Sequence, residues 1–435
     1  MYIHKVHIQN IRSFSDFTIE FSRGEEAGWH VLIGDNGSGK STLLRAMALG
    51  IIGPIEAKSL RINMREWIRR GSKLGKIEIE VASEKGNKKL RASSEIDQRG
   101  LILPDESLLS QFKEHGWLNN QKWFYAGFGP MRRFTGGDND LLNIYESAPQ
   151  AAPLFSLFNE GLALTKALDW LKELDYEKLK EKEEKPDHLV EEGGSAYQPE
   201  AEYLFNSFRN FINQSNLLPH QTQFKRIGSD KKPLFIDGNQ YSISITELSD
   251  GYRSVLSMIF ELIRQMIVVH GPQRVFSPSE TGKPIIDIPG VVFIDEVDTH
   301  LHPTWQTRIG KWFTRYFPNI QFIVTTHSPL ICRGCIDENG KIKGSVWQLA
   351  APASGKESEK LTGTKLQRLI FGNILDAYST EAFGGQIGRA QESTDLLKEY
   401  AKLDKLYAYN QITKEQNQRR LQLQKIFSTD AISDL

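Results

Sequence analysis

The chain has few cysteines and no excess of charge of either sign. Two cysteines occur in 435 residues, and lysine plus arginine equal aspartate plus glutamate at 54 each. Two thiols cannot form the disulfide framework of a small secreted protein, so we expect a reducing, cytoplasmic location. A net charge of zero argues against a broadly basic nucleic-acid coat, but it is compatible with a local basic patch.

Long hydrophobic runs are also missing. No apolar stretch of the sequence reaches the length of a membrane span, and residues 1–6 lack a signal-peptide pattern. We therefore expect no membrane partner. No internal repeat has the period of a solenoid or a propeller. The length predicts two or three domains or lobes, and 25% charged with 39% hydrophobic residues is ordinary for a globular protein.

Glycine and small polar residues are concentrated between an apolar run, 29–33, and a helical pattern, 43–48. The spacing G-x-x-x-x-G-K-[ST] between a strand and a helix predicts a phosphate-binding loop. Its backbone N–H groups and the helix N-terminus would face the anion. Lys40 would reach the β- and γ-phosphates of ATP, and Ser41 would hold Mg²⁺. The predicted nucleotide-binding residues of this loop are Asn36, Gly37, Ser38, Gly39, Lys40, Ser41 and Thr42.

Two carboxylates follow a second apolar run, Val291–Ile294. Four apolar residues predict a strand inside a sheet, and ligands of open α/β sheets bind at the carboxyl ends of such strands. Asp295 would hold the Mg²⁺ shell, and Glu296 would polarise the attacking water. An acidic loop without chemistry is the alternative, and the phosphate-binding loop argues against it.

Two further segments carry candidate site residues. Ser249 and Gly251 stand at the start of a long apolar-patterned helix, where a serine hydroxyl and a helix N-terminus make a second anion site. An ordinary capped helix is the alternative. His327 follows the apolar run 322–324 and can sense a γ-phosphate by hydrogen bonding, the alternative being a structural histidine.

Three other patterns favour structural explanations. The basic stretch 60–76 around Trp67 is compatible with contact to DNA or RNA phosphates, but a solvated helix end leading to a strand is favoured. Cys332 and Cys335 have no second cysteine pair, which favours structural thiols over a metal or redox site. His300 and His302 have no third ligand nearby in sequence, which favours a structural or interface role.

Four segments, in their order along the chain, resemble the motifs of the ABC-type ATPase superfamily. They are the phosphate-binding loop, residues 248–251, Asp295-Glu296 and His327. The opening segment 6–14 is similar to the SMC/RecF branch, and residues 301–303 are similar to OLD-like bacterial defence ATPases. The overall size, the short helical insertion and the segment 127–133 resemble the PtuA family, the ATPase subunits of Septu and some retron antiphage systems.

This resemblance implies an α/β fold, an ABC-type ATPase head with an antiparallel β subdomain, an inserted helical lobe and a helical C-terminal tail. It implies catalytic roles for Lys40, Glu296 and His327, and a place at the nucleotide for Arg12. It also implies a head-to-tail homodimer or higher oligomer, in which Ser249 and Gly251 complete the partner's ATP site. A separate HNH-type nuclease would be the effector.

We expect four regions: 1–138 as the first part of the head, 139–215 as the helical lobe, 216–350 as the second part of the head, and 351–435 as a partner-binding region. Three departures bear on the function. The insertion lacks a long coiled coil, the loop 129–133 after the strand at 123–128 has no glutamine, and no Toprim nuclease motif follows His327. The leading hypothesis is therefore a regulatory ATPase that is not itself a nuclease. A DNA-binding repair or chromosome-maintenance ATPase and a transporter ATPase are the alternatives.

Overall fold

A computed structural model describes residues 1–82, 89–104, 123–134, 148–160, 164–184, 200–218, 221–279, 282–352, 354–372, 377 and 391–427. The chain divides into two compact units, Met1–Ala377 and Tyr378–Leu435. The strands are β1 (Tyr2–Ile11), β2 (Phe14–Glu20), β3 (Gly28–Ile33), β4 (Leu74–Ala82), β5 (Lys89–Asp97), β6 (Ile102–Pro104), β7 (Phe124–Phe128), β8 (Gln223–Ile227), β9 (Pro233–Ile236), β10 (Ser242–Ser244), β11 (Gly290–Ile294), β12 (Ile320–Thr325), β13 (Gly344–Gln348) and β14 (Glu359–Lys360).

The described residues form helices in both units. They are α1 (Lys40–Ala57), α2 (Phe155–Phe158), α3 (Lys166–Glu184), α4 (Glu200–Gln214), α5 (Asp250–His270), α6 (Pro272–Val275), α7 (Pro303–Gln306), α8 (Ile309–Tyr316), α9 (Gly363–Phe371), α10 (Gln391–Ala408) and α11 (Lys414–Phe427). The pair Gly53-Pro54 is a helix-stop signal in the sequence. Gly53, with φ 76°, leaves helical geometry there, so α1 is kinked before Pro54 and then continues to Ala57. No described helix is long and apolar enough to cross a membrane.

A six-stranded sheet is the centre of the first unit. Its order is β14-β13-β3-β12-β11-β7. The neighbours from β13 to β7 pair in parallel, and β14 joins β13 antiparallel. Strands β3, β11 and β12 are buried at every residue, as expected for parallel strands covered on both faces. The carboxyl ends of these three strands therefore meet at one edge, and the predicted α/β head is confirmed.

A second, antiparallel sheet packs on α1. Its order is β2-β1-β4-β5-β6. The alternation of apolar and polar residues over 2–22 and 77–92 predicts two antiparallel hairpins. Both pairings are confirmed, β1 with β2 and β4 with β5, and the turn predicted at 85–87 lies outside the described residues. Ile77 and Ile79 of β4 pack so closely against Gly50 of α1 that a Cβ there would stand 3.3–3.4 Å from their side chains. This packing fixes α1, and with it the loop that precedes the helix.

The helical lobe is joined to the head by aromatic packing. Phe208 of α4 contacts Phe224 of β8 and Phe260 of α5, with ring centroids 6.2 and 4.9 Å away. Strands β8, β9 and β10 form a separate three-stranded antiparallel sheet, in which β9 and β10 pair as a hairpin. All three rings are buried, so the lobe and the small sheet together fix the position of α5.

The second unit contains α10 and α11. Arg419 forms a two-pronged ion pair with Glu399, with both N–O distances 3.0 Å. Arg420 donates to Asp404 at 3.1 Å. Each helix also buries an apolar side chain, Leu403 of α10 and Leu423 of α11. The helical character predicted for the tail agrees with these two helices; the four region boundaries expected from the sequence stay predictions.

Candidate functional site

The glycine-rich loop runs from the end of β3 into α1. Gly39 stands at the helix start with φ 96°, a left-handed conformation that favours glycine. A Cβ on Gly39 would lie 2.6 Å from the Phe14 ring and 2.8 Å from Ser13 Oγ. The loop is thus pressed against the start of β2 by a contact that only glycine permits. The first N–H groups of a helix have no partner within the helix, so those at the start of α1 are available to bind an anion.

Lys40 is buried at the base of this loop. Its Nζ donates to the carbonyl oxygens of Gly34 at 2.7 Å and Asp35 at 3.0 Å. Burial lowers the Lys40 pKa, and the negative charges of Asp295 and Asp35 oppose that shift. The amine therefore lies within the loop, and a bound phosphate would replace carbonyl oxygens as its acceptor.

Asp295 joins the loop to the end of β11. Its Oδ1 accepts from Ser41 Oγ at 2.9 Å and from Thr325 Oγ1 at 2.6 Å. Its Oδ2 lies 3.6 Å from Arg45 Nη2. A serine hydroxyl and a carboxylate are hard oxygen donors, which Mg²⁺ prefers in nucleotide sites. The two predicted metal-binding residues thus touch each other, and their chemistry fits Mg²⁺.

Glu296 has an unusual backbone conformation. Its φ is 46°, which is uncommon for a residue with a side chain. Its N–H donates to Thr325 Oγ1 at 2.7 Å, and its Oε2 accepts from Thr299 Oγ1 at 3.1 Å. Left-handed backbone at a non-glycine residue costs about 1–3 kcal/mol and clusters at functional sites. The half-buried carboxylate is held beside Asp295, in the place expected of a general base.

Arg132 also belongs to this site, although sequence reasoning did not identify it. Its Nη1 donates to the carbonyl oxygens of Asp295 at 2.8 Å and Gly129 at 3.0 Å, and its Nη2 donates to the Glu296 carbonyl at 3.0 Å. Its Nε donates to Ser254 Oγ of α5 at 3.2 Å. Burial lowers the Arg132 pKa to about 10, with Asp295 opposing the shift. The guanidinium thus ties the strand end that carries both carboxylates to the helix of Ser249.

The structure places Ser249 and Gly251 at the start of α5, as predicted. Ser249 is the N-cap residue, is exposed, and makes no side-chain capping bond. A Cβ on Gly251 would lie 2.5 Å from the His300 carbonyl oxygen, so glycine is required by close packing. Among the described contacts, none joins Ser249 or Gly251 to the glycine-rich loop of the same chain.

His327 and Arg12 lie at the margins of the site. His327 is exposed, two residues beyond β12, and the adjacent Thr326 donates from Oγ1 to Asp298 Oδ1 at 2.6 Å. Arg12 stacks on Trp67, with its guanidinium carbon 4.7 Å from the ring centroid. Burial is the main cause that lowers the Arg12 pKa, and the positive charge of the nearby Arg45 lowers it further. Arg12 therefore lies beside the cation that contacts Asp295.

Two arginines of the basic stretch 60–76 hydrogen-bond to nearby backbone. Arg65 Nε donates to the Arg99 carbonyl at 3.1 Å, and Arg69 Nη1 donates to the Ser13 carbonyl at 2.5 Å. A short 3₁₀ turn, Met64–Trp67, leads from here to β4. These contacts fit the favoured structural explanation, because the two arginines are already engaged with backbone.

The cysteines and the His300–His302 segment fit the structural explanations. Cys332 and Cys335 are buried, and burial raises the pKa of both thiols. His302 is the N-cap of α7, where its Nδ1 accepts from the Thr304 N–H at 3.4 Å. No group of three metal-binding side chains occurs among the described residues.

The chain matches two family models. Residues 130–333 match "AAA domain, putative AbiEii toxin, Type IV TA system", and residues 1–97 match "AAA ATPase domain". Septu protein PtuA of Bacillus mycoides is 26% identical over 77% of this chain, which spans 39% of that protein's length. Retron Ec83 probable ATPase of Escherichia coli is 24% identical over 92% of this chain and 79% of its own. The SMC head domain from Thermotoga maritima superposes with a TM-score of 0.44 at 14% identity, covering 83% of this chain and 99% of its own.

Proposed function

We propose that this chain, which is related to the Septu PtuA and retron ATPases as its motifs predicted, binds ATP with Mg²⁺ and hydrolyses it. The observation that carries the proposal is the direct contact of Ser41 with Asp295, with Glu296 held beside them. Lys40 would bind the β- and γ-phosphates, and Asn36, Gly37, Ser38, Gly39 and Thr42 would shape and cap the phosphate cradle. Glu296 would accept a proton from the attacking water while Mg²⁺ neutralises phosphate charge.

The second half of the site is proposed to come from another copy of the chain. Ser249 is exposed at a helix N-terminus and is not used to cap its own helix, so its hydroxyl and the nearby N–H groups suit a phosphate. The partner's Ser249 and Gly251 would then face the γ-phosphate, with His327 sensing it and Arg12 near the nucleotide. ATP would favour this head-to-tail pairing because it binds the paired state more tightly.

The purpose proposed for this cycle is control of an effector in antiphage defence. The relationship to Septu and retron ATPases supports that role, and the resemblance to the PtuA family suggests an HNH-type nuclease on a separate chain. The region 351–435 is the proposed contact for that effector. Under this proposal the ATPase chain has no nuclease activity of its own.

Two substitutions test the ATP site. Lys40→Ala should lose ATP binding, because the loop loses its only phosphate-directed cation. Glu296→Gln should keep ATP binding while turnover falls by about 10²–10⁴-fold, the usual contribution of a general base. Equilibrium titration with ATP and phosphate release measure the two effects. Tight ATP binding by the Lys40 variant, or wild-type turnover by the Glu296 variant, would overturn these assignments.

Pairing is tested with the same variant. Glu296→Gln with ATP and Mg²⁺ should accumulate a dimer, measured by light scattering after size exclusion, and a further Ser249→Arg should prevent it. A dimer that forms equally well without ATP would contradict nucleotide-driven pairing. DNA cleavage by the purified chain, with activity surviving Lys40→Ala, would contradict the regulatory role.

A further inference from the structure

A cavity of about 740 Å³ opens beside α5 and shares no residue with the glycine-rich loop, Asp295 or Glu296. Its walls come from the loop after β7, from helix α3, from the turn before β9 and from the start of α5. Ser249 instead lines a separate cavity with Asp237 and Asn239. The larger cavity is therefore separate from the glycine-rich loop and from the two carboxylates, and its lining does not include the serine proposed to contact a partner's nucleotide.

The lining of this cavity is basic, although the whole chain has no net charge. Two carboxylates line it, and both are neutralised locally: Asp169 by Lys172 at 2.8 Å and Asp250 by Arg253. The basic side chains that line it are Arg132, Arg133, Lys172, Lys231, Lys232 and Arg253. The lining of this cavity therefore carries an excess of positive charge.

Two exposed cations of this lining have no carboxylate partner among the described residues. Arg133 and Lys231 are exposed, and no described carboxylate lies within ion-pair distance of either. Lys232 has Asp230 only at 4.0 Å. Lys231 lies in a turn with φ 59°, and its N–H donates to the Gly228 carbonyl at 2.9 Å. The turn thus presents a lysine at the cavity mouth from a backbone conformation that lysine rarely adopts.

The inner part of the cavity is apolar. Phe134, Leu168 and Ile245 line it and are buried. A cavity of this size accommodates a small ligand, and an apolar floor with a few charged groups at its rim is typical of such sites. A ring with attached phosphate groups combines both features, because the ring suits the floor and the phosphates suit arginine and lysine.

We propose that this cavity binds a phosphate-bearing ligand of nucleotide size, a free nucleotide or the end of a single nucleic-acid strand. Arg132 connects the cavity to the ATP site, since the same guanidinium holds the carbonyls of Asp295 and Glu296. A bound phosphate would hydrogen-bond to the Arg132 guanidinium, and this contact would alter the hydrogen bond that Arg132 donates to the Glu296 carbonyl. Binding stands independently of the proposed function, whereas its effect on turnover rests on it.

The binding test uses the full chain with Lys40→Ala, so that the glycine-rich loop does not bind the probe. The probes are AMP and a 5′-phosphorylated hexadeoxynucleotide, titrated by calorimetry. The double variant Arg133→Glu/Lys231→Glu should weaken binding of the preferred probe by about 100-fold, because each lost charge-assisted contact costs about tenfold in affinity. Lys283→Glu with Lys341→Glu is the matched control, because both lysines are exposed and lie outside the cavity.

Tighter binding of AMP identifies a free nucleotide as the source, and tighter binding of the oligonucleotide identifies a strand end. The inference is overturned if neither probe binds, or if the cavity pair and the control pair weaken binding equally. In the wild-type chain, the preferred probe should change ATP turnover, and the cavity pair should remove that change. If ATP turnover is not found at all, the proposed function fails while the binding result still decides the site.

Discussion

Arg132→Ala is the substitution that best tests how the ATP site is supported. It removes the donors to the carbonyls of Gly129, Asp295 and Glu296. Arg132 is only 5% exposed, so these contacts are buried. Hydrogen bonds to a charged group contribute about 1.5–3 kcal/mol each, and they do not add fully. We expect the free energy of unfolding to fall by about 3–5 kcal/mol, comparable to removing one partner of a buried ion pair.

The effect on activity should be larger on turnover than on ATP affinity. Arg132 holds the backbone of Glu296, which has φ 46°, whereas Lys40 is held by the loop's own carbonyls. Loss of Arg132 lets Glu296 leave that conformation, so kcat should fall about tenfold or more while the Kd for ATP changes less than about threefold, since misplacement of a catalytic group costs rate.

Two variants make this prediction decisive. Arg132→Lys keeps a cation but cannot reach three carbonyls, and it should fall between wild type and Arg132→Ala in both properties. Ser254→Ala removes only the acceptor of Nε at 3.2 Å and should cost about 1 kcal/mol. Urea denaturation gives the free energies, and phosphate release at saturating ATP gives kcat. Wild-type stability and kcat in Arg132→Ala would refute the reasoning.

Three further outcomes are expected. Gly39→Ala should weaken ATP binding at least about tenfold, as measured by titration. Left-handed backbone costs a residue with a side chain about 1–2 kcal/mol, and the added Cβ would collide with Phe14. Unchanged ATP affinity would contradict the loop geometry. The hydrogen bond with Glu78 raises the His7 pKa above 6.5. The stabilisation from protonated His7 is therefore fully present below pH 6.5 and is lost as pH rises through the raised pKa. His7→Gln should remove up to about 1 kcal/mol of this pH dependence of the free energy of unfolding, and an unaltered pH profile would contradict the role of His7. Chelation of Mg²⁺ should abolish turnover, and Asp295→Asn should mimic it in phosphate release, unless the metal is held elsewhere.

The parts of the site that could be predicted from the sequence are those encoded by neighbouring residues. A glycine-rich loop between an apolar run and a helix, and two carboxylates after a second run, each carry their own local pattern. The meeting of Ser41 with Asp295 followed because parallel strands end at one edge of a sheet. The order of these segments indicated an ABC-type ATPase. The relationship to PtuA-type ATPases came from the overall size, the short helical insertion and the segment 127–133, and the comparisons confirm it.

The role of Arg132 could not be predicted, because it depends on strand order. Arg132 and Asp295 are 163 residues apart, and nothing local shows that β7 lies directly beside β11. The available signal was an arginine in the loop where a glutamine was expected. The contact of Arg45 with Asp295 was missed for the same reason, since the helical pattern of α1 does not reveal which strand end one of its side chains will face.

The burial of both cysteines makes the chain well suited to distance measurements in solution. Cys332 and Cys335 are the two cysteines of the sequence, and burial raises the pKa of each thiol, so neither forms the reactive thiolate readily. A cysteine placed at an exposed position, such as Tyr241, would therefore take up a maleimide dye selectively in the folded protein. Energy transfer between two labelled copies would then follow their approach and separation through the ATP cycle in real time.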